Sequence, residues 1–193
     1  MSPEQLSRFK RRVASLWLFS PERLWLLSIR LRSRRHWMLA FWLKQLNTFL
    51  YHNSLAPGAT VSPDISLGHN GLGIVIGANT QIGKGVKLMH NVTVAGGRRE
   101  RQPHAPTPAG PRSRVIIEDH VRIGANSVIV PPAGRTVTIG RAAKIGAGTV
   151  VTQDVPAGAT VVGQAPRVIL AEPAPTPEPG VLSDATGRLE GER

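Results

Sequence analysis

Residues 76–88 read IGANTQIGKGVKL, with Ile76, Ile82 and Leu88 spaced six apart and glycine after the first two. A period of six matches neither the alternation of a strand nor the three-to-four step of a helix. It is the signature of hexapeptide repeats wound into a parallel β-helix, in which each aliphatic points into a narrow shaft and small residues turn the corners. The rhythm extends outward in both directions. Leu55, Val61 and Leu67 precede the stretch, Val94 follows it, and Ile117, Ile123, Ile129 and then Ile139, Ile145, Val151 resume it. If three hexads close one triangular coil, residues about 18 apart stack on successive coils, which supply each other's hydrogen bonds and apolar cover.

Two interruptions break the repeat. Residues 98–114, RRERQPHAPTPAGPRSR, carry four prolines and five arginines and form a loop thrown out of the coil; such loops are often functional. Residues 130–138 insert a shorter turn. The β-helix domain is accordingly placed at 54–170. The proline-, glutamate- and glycine-rich segment 171–193 has the composition of a disordered tail.

Residues 1–53 differ in kind. Ser20-Pro21-Glu22 is an N-cap with proline at the first helical position. Leu24, Leu27 and Leu31, and then Leu39, Trp42, Leu43 and Leu46, recur at helical spacing. This region is read as two or three basic amphipathic helices. Residues 1–50 hold ten Lys or Arg against Glu4 and Glu22, a large share of the net charge of +12. Faces of this kind pack against a neighbouring subunit or lie on an anionic membrane surface, and packing is the favoured reading. Nucleic-acid binding has only the charge to support it and is not expected. The longest uncharged apolar run, Trp37 to Leu43, is far shorter than the roughly 20 residues of a spanning helix. With no cysteine in the chain, disulfides, thiolate zinc sites and thiol nucleophiles are excluded. No signal-peptide order is seen, and a cytoplasmic protein is expected.

LGHNGLGIVIG (67–77), VTVAGG (92–97), KIGAGTVV (144–151) and GQAPRVI (163–169) follow one another in an order that resembles the serine O-acetyltransferase family. The resemblance covers roughly residues 50–170. It implies a left-handed coil, an exception to the usual right-handed crossover, and a homotrimer or trimer-based oligomer. It further implies an enzyme that moves an acetyl group from acetyl-CoA to a small-molecule hydroxyl. L-serine is the leading acceptor, and O-acetyl-L-serine for cysteine biosynthesis is the product. His69 is then the general base, since a hydroxyl attacks a thioester only as its proton is removed. Gly68, Gly71 and Gly73 leave room for two substrates. Lys144, Gly146, Ala147, Gly148 and, further on, Arg167 match the stretch along bound CoA, an anion suited to backbone amides and cations.

The chain also departs from the family. The aspartate that orients the base would fall near Ser54, and no aspartate precedes Asp64. Gly68 stands where the family holds serine's amino group with an aspartate. The Arg-His pair that reads the carboxylate falls near Ser113 and Arg114. His104, Arg112 and Arg114 in the enlarged loop are candidate substrate contacts. These losses keep a sugar or polysaccharide hydroxyl open as the acceptor, and a non-catalytic trimeric scaffold or membrane-surface partner as the other class. His90 and His120 are expected to face outward without a role. No metal is expected, because these histidines lack the close spacing of a zinc triad.

Overall fold

The computed structural model describes residues 20–96 and 111–164. The chain divides into Met1–Gly163 and Gln164–Arg193, and only Gln164 of the second unit is described. The predicted tail, His104 and Arg167 lie outside the described residues, as does most of loop 98–114.

Fourteen short strands are described, and their pairing reproduces the hexad count. The first coil is β1 (Ser54–Leu55), β2 (Thr60–Val61) and β3 (Ser66–Leu67). The second is β4 (Val75–Ile76), β5 (Thr80–Ile82) and β6 (Lys87–Leu88). The third is β7 (Thr93–Val94), β8 (Arg114–Ile117) and β9 (Arg122–Ile123). The fourth is β10 (Val128–Ile129), β11 (Thr136–Ile139) and β12 (Lys144–Ile145), and β13 (Val150–Val151) and β14 (Thr160–Val161) belong to the last. Three parallel sheets result, β1-β4-β7-β10-β13, β2-β5-β8-β11 and β3-β6-β9-β12-β14. The fold is a left-handed parallel β-helix with helices at its N-terminal end.

Each sheet carries a main column of inward aliphatics, and on the second sheet Val115 and Val137 are buried beside it. Leu55, Ile76, Val94, Ile129 and Val151 stack on the first sheet. Ile82, Ile117 and Ile139 stack on the second, and Leu67, Leu88, Ile123 and Ile145 on the third. Ile74, Val86, Leu88, Val94, Ile129 and Ile139 are wholly buried, and each such side chain stabilises the fold by about 1.5–3 kcal/mol. The spacing of about 18 holds for Ile76 and Val94 and is stretched where the chain inserts residues at a corner. Loop 98–114 ends earlier than expected. Ser113 is buried and Arg114 already belongs to β8.

Two helices cover the first coil. α1 (Pro21–Ser33) begins as the sequence indicates, with the Arg23 N–H donating to Ser20 Oγ at 3.4 Å. It buries Leu24 and Trp25, and the indole of Trp25 donates to Ala56 O at 3.0 Å. The Leu67 N–H, on the outer edge of β3, donates to Glu22 Oε1 at 3.0 Å. A solenoid needs such a cap, because the first coil otherwise leaves a row of unpaired backbone groups.

α2 (Trp37–Tyr51) turns the expected stripe away from the coil. Ala40 and Asn47 are its buried residues, while Leu39, Trp42 and Leu46 face outward and Leu43 is half-buried. A polar junction decides which side is covered. Asn47 Nδ2 donates to Pro21 O at 2.9 Å, and Asn53 Nδ2 donates to Asn47 Oδ1 at 3.2 Å. In α1, likewise, Leu24 is buried but Leu27 is exposed.

Candidate active site

His69 sits where the chain passes from the third sheet back to the first. Inward residues Leu88 and Val94 are six apart, yet Leu67 and Ile76, one coil earlier, are nine apart. The three extra residues are absorbed in a 3-10 turn, Gly68–Gly71. Within it His69 (φ 52°, ψ 43°) and Asn70 (φ 56°, ψ 28°) are left-handed, and Gly71 follows at φ 70°. Histidine and asparagine are among the few side chains that tolerate this region. Three positive φ angles in a row push the backbone out of the prism and leave the His69 side chain exposed.

The turn is fixed on both sides. The Leu72 N–H donates to His69 O at 3.2 Å, the Gly73 N–H to His52 O at 3.0 Å, and the Asn91 N–H to Leu72 O at 2.8 Å. Gly73, at φ 66°, lies so close to Asn91 that a Cβ would overlap Asn91 Oδ1. Gly68 has a different reason to be small: a Cβ there would come within 3.0 Å of Met89 Sδ and 3.4 Å of Leu88 O.

His90 does not face freely outward as expected. It lies one coil beyond His69, and the two rings meet edge to face with centroids 4.7 Å apart and planes at 88°. His90 is half-buried, and its Nδ1 is enclosed by protein without a hydrogen-bond partner. The signal was present in the sequence. His69 is two residues past inward Leu67 and His90 two past inward Leu88, the same phase of successive coils. His120 is exposed, as expected, with its ring against Gly85 at a different corner.

The corner that carries the histidines continues to the predicted CoA stretch. The Asn126 N–H donates to His90 O at 3.2 Å, and the Gly148 N–H donates to Ala125 O at 2.8 Å. Ala147 therefore lies three coils from His69, on the order of 14 Å at the usual strand spacing. Gly148 is at φ 66° with open space where a Cβ would be. Ser127 Oγ donates to Gly146 O at 2.8 Å and holds that corner.

Beside the corner, on the outer surface of the third sheet, Lys87, Arg122 and Lys144 stand in register on adjacent coils, all exposed. On the N-terminal side a cleft of about 490 Å³ runs between α1 and the first coil, with Glu22, Arg23, Leu26, Pro63, Ser66 and Asn70 among its walls. Arg114 is not brought to His69. It lies on the second sheet, opposite the histidine corner, where its Nη2 donates to Gln81 Oε1 at 2.7 Å. Arg112 is exposed just before it, and Ser54 pairs with Val75 in β1. No group of three or more His, Asp or Glu among the described residues is placed to hold a metal ion.

Comparisons with known proteins agree with this architecture. The family described as hexapeptide repeat of succinyl-transferase matches residues 114–153. A serine acetyltransferase of Bacillus licheniformis is 34% identical over 140 residues, 72% of this chain and 58% of the relative. A serine acetyltransferase of Helicobacter pylori is 32% identical over 139 residues, covering 72% of this chain and 73% of that protein. The chain belongs to the serine acetyltransferase family. It spans 58% of the length of the Bacillus licheniformis member. Among solved serine acetyltransferases, that of Neisseria gonorrhoeae, crystallised with serine, superposes with a TM-score of 0.62 at 31% identity. The superposition covers 75% of this chain and 53% of that one.

Proposed function

We propose that this chain is an acetyl-CoA-dependent O-acetyltransferase, with His69 as general base and L-serine as acceptor, supplying O-acetyl-L-serine for cysteine biosynthesis. The observation that carries the proposal is the shared corner. His69 and the Lys144–Gly148 stretch lie on one edge of the prism, joined by His90 and flanked by three aligned cations. A long anionic co-substrate laid along that edge places its thioester end at His69 and its phosphates near Lys144, Arg122 and Lys87. Gly146, Ala147 and Gly148 keep the corner low enough for its arm, and Arg167 belongs to the same proposed contact.

In this reading the acceptor occupies the side of His69 that opens toward the cleft at Asn70. Neutral imidazole takes the hydroxyl proton as the oxygen bonds to the thioester carbonyl carbon. The tetrahedral intermediate collapses, the carbon–sulfur bond breaks, and the imidazolium returns its proton to the CoA thiolate. His90 forms the wall against which the His69 ring rests and acts as a positioning residue. The working unit is a homotrimer, and acetyl-CoA places the reaction in the cytoplasm. Arg112 and Arg114, away from this corner, serve as contacts to acceptor held by a neighbouring copy, and His104 is a further candidate acceptor contact.

One observation favours a second acceptor class. Residue 68 is a glycine whose Cβ position is crowded by Met89 Sδ at 3.0 Å, and the nearby carboxylate of Glu22 already accepts from the Leu67 N–H. No aspartate is thus set beside His69 to receive an amino group, which suits a sugar or polysaccharide hydroxyl. Release of CoA, measured with serine and with sugars, decides between them. With the true acceptor His69→Ala lowers turnover by about 10²–10⁴. Undiminished turnover in that variant refutes the base, and no CoA release with any acceptor leaves the scaffold reading in its place.

A further inference from the structure

We infer that α2 is a docking face for an anionic lipid bilayer, on which the protein lies without crossing. The outward side of this helix is apolar to an unusual degree. Met38 is 72% exposed, Trp42 63%, Phe49 78%, Phe41 52%, Leu50 46% and Leu46 39%. At 100° per residue these six fall within one arc of about 180° that contains a single polar residue, Gln45. The helix has one charge, Lys44, which is half-buried on the side of Ala40 and Asn47. A soluble surface seldom leaves so large a continuous apolar patch uncovered.

The charge beside the patch identifies its partner. Arg30, Arg32, Arg34 and Arg35 are all exposed at the end of α1 and in the turn that leads into α2. Arg32 places its guanidinium 4.6 Å from the centre of the Trp37 ring, at the start of the apolar arc. No aspartate or glutamate occurs between residues 23 and 63, so this part of the chain supplies no acid to neutralise them. Aromatic and aliphatic side chains bordered by arginines that have no acidic partner among the described residues match the acyl and headgroup layers of an anionic membrane. A second copy of the chain would instead bring a like-charged cluster to the same place. No described helix is long and apolar enough to cross a membrane, which limits the contact to the surface. The inference stands apart from the catalytic reading, since none of these residues touches the histidine corner.

The test is co-sedimentation of the full chain with vesicles of phosphatidylcholine alone and of phosphatidylcholine mixed equally with phosphatidylglycerol. The protein is expected to pellet with the anionic vesicles and to stay in solution with the neutral ones. Each arginine reversed to glutamate should weaken partition by at least about fivefold, and raised salt should act in the same direction. The double variant Trp42→Ser, Phe49→Ser alters only exposed side chains. It should keep the helical circular dichroism of the wild type yet lose the vesicles. Wild type that ignores both vesicle types overturns the inference. So does binding that the double variant retains, or a face whose polar variant changes the oligomer size in solution, which would place it between copies.

Discussion

Gly73 and Gly158 offer a matched pair for separating backbone strain from crowding at the histidine corner. Both are left-handed, at φ 66° and φ 72°, so alanine pays about 1–2 kcal/mol for the conformation at either place. They differ in what a methyl group would meet. Nothing lies within 4 Å of a Cβ at Gly158, whereas at Gly73 it overlaps Asn91 Oδ1 and stands 3.0 Å from Asn91 Cγ. The Asn91 amide must move, and it now donates to Asn126 Oδ1 at 3.1 Å. Losing that bond adds about 0.5–1.5 kcal/mol. Gly158→Ala is therefore expected to cost about 1–2 kcal/mol, and Gly73→Ala about 1.5–3.5 kcal/mol. Urea unfolding followed by tryptophan fluorescence measures both, since Trp25 is buried against the first coil. Gly73→Ala should also slow acetyl transfer, because Asn91 adjoins His90, while Gly158→Ala should not. Equal costs for the two variants, or normal turnover in Gly73→Ala, would refute the crowding argument.

Other consequences follow from the same geometry. His90→Ala should lower kcat with little change in KM for acetyl-CoA, and His90→Phe, which preserves the edge-to-face wall, should restore much of it. Because phenylalanine also removes an enclosed, unpartnered nitrogen, His90→Phe should be more stable than wild type by on the order of 1 kcal/mol in thermal unfolding. Equal loss of turnover in both variants would mean that the nitrogen, not the wall, matters. Lys144→Ala should raise KM for acetyl-CoA about tenfold and flatten its salt dependence, without altering KM for the acceptor. The Ser62 hydroxyl, with help from the Gly85 N–H, holds the Asp64 carboxyl below its ordinary value. A depressed carboxylate contributes stability above its unfolded pKa and loses it as pH falls through the folded one. Asp64→Asn should thus flatten the acid limb of a stability–pH curve below about pH 4.

The main columns of the coil were legible in the sequence, because a narrow shaft that takes an aliphatic at each strand leaves a period of six; the buried aliphatics two residues before them, Val115 and Val137 among them, were not read. Leu55, Val61, Leu67 and their successors as far as Val151 were found by counting sixes, whereas Val155 and Val161 fall out of that count. The His69 turn stood out in the sequence because glycine crowds around it, and the structure leaves that side chain exposed at the corner. The second histidine was passed over because phase was counted within hexads and not between coils. The three-residue insertion at His69, Asn70 and Gly71 shifts the count, and once it is allowed for, His90 falls beneath His69. What covers α2 was not legible for a different reason. A helical stripe of leucine and tryptophan establishes a face but not what covers it. Here Asn47, fixed by Pro21 O and Asn53, turns that face outward. Arg114 shows the limit of proximity along the chain, since four residues of β8 carry it to the second sheet, away from the histidine corner.

The cap and the His69 turn share one hydrogen bond, and that makes them separable by a single atom. Glu22 Oε1 accepts from the Leu67 N–H at 3.0 Å, and Gly68 and His69 follow immediately. Glu22→Ala leaves that part-buried N–H without an acceptor, a loss of about 1–3 kcal/mol, and frees the strand end from which the left-handed turn departs. Glu22→Gln keeps a carbonyl oxygen in the same place and removes only the charge. If the bond acts through geometry, the glutamine variant keeps most of its stability and its kcat, while the alanine variant loses both. If Glu22 instead handles the acceptor as a charged group in the cleft, the glutamine variant keeps its stability but its KM for the acceptor rises. Unfolding midpoints and initial rates on the two variants give opposite patterns for the two roles. The prediction here is the geometric one, because a carboxylate already bonded to the backbone of β3 is held away from a substrate. An acceptor KM that rises in Glu22→Gln would overturn it.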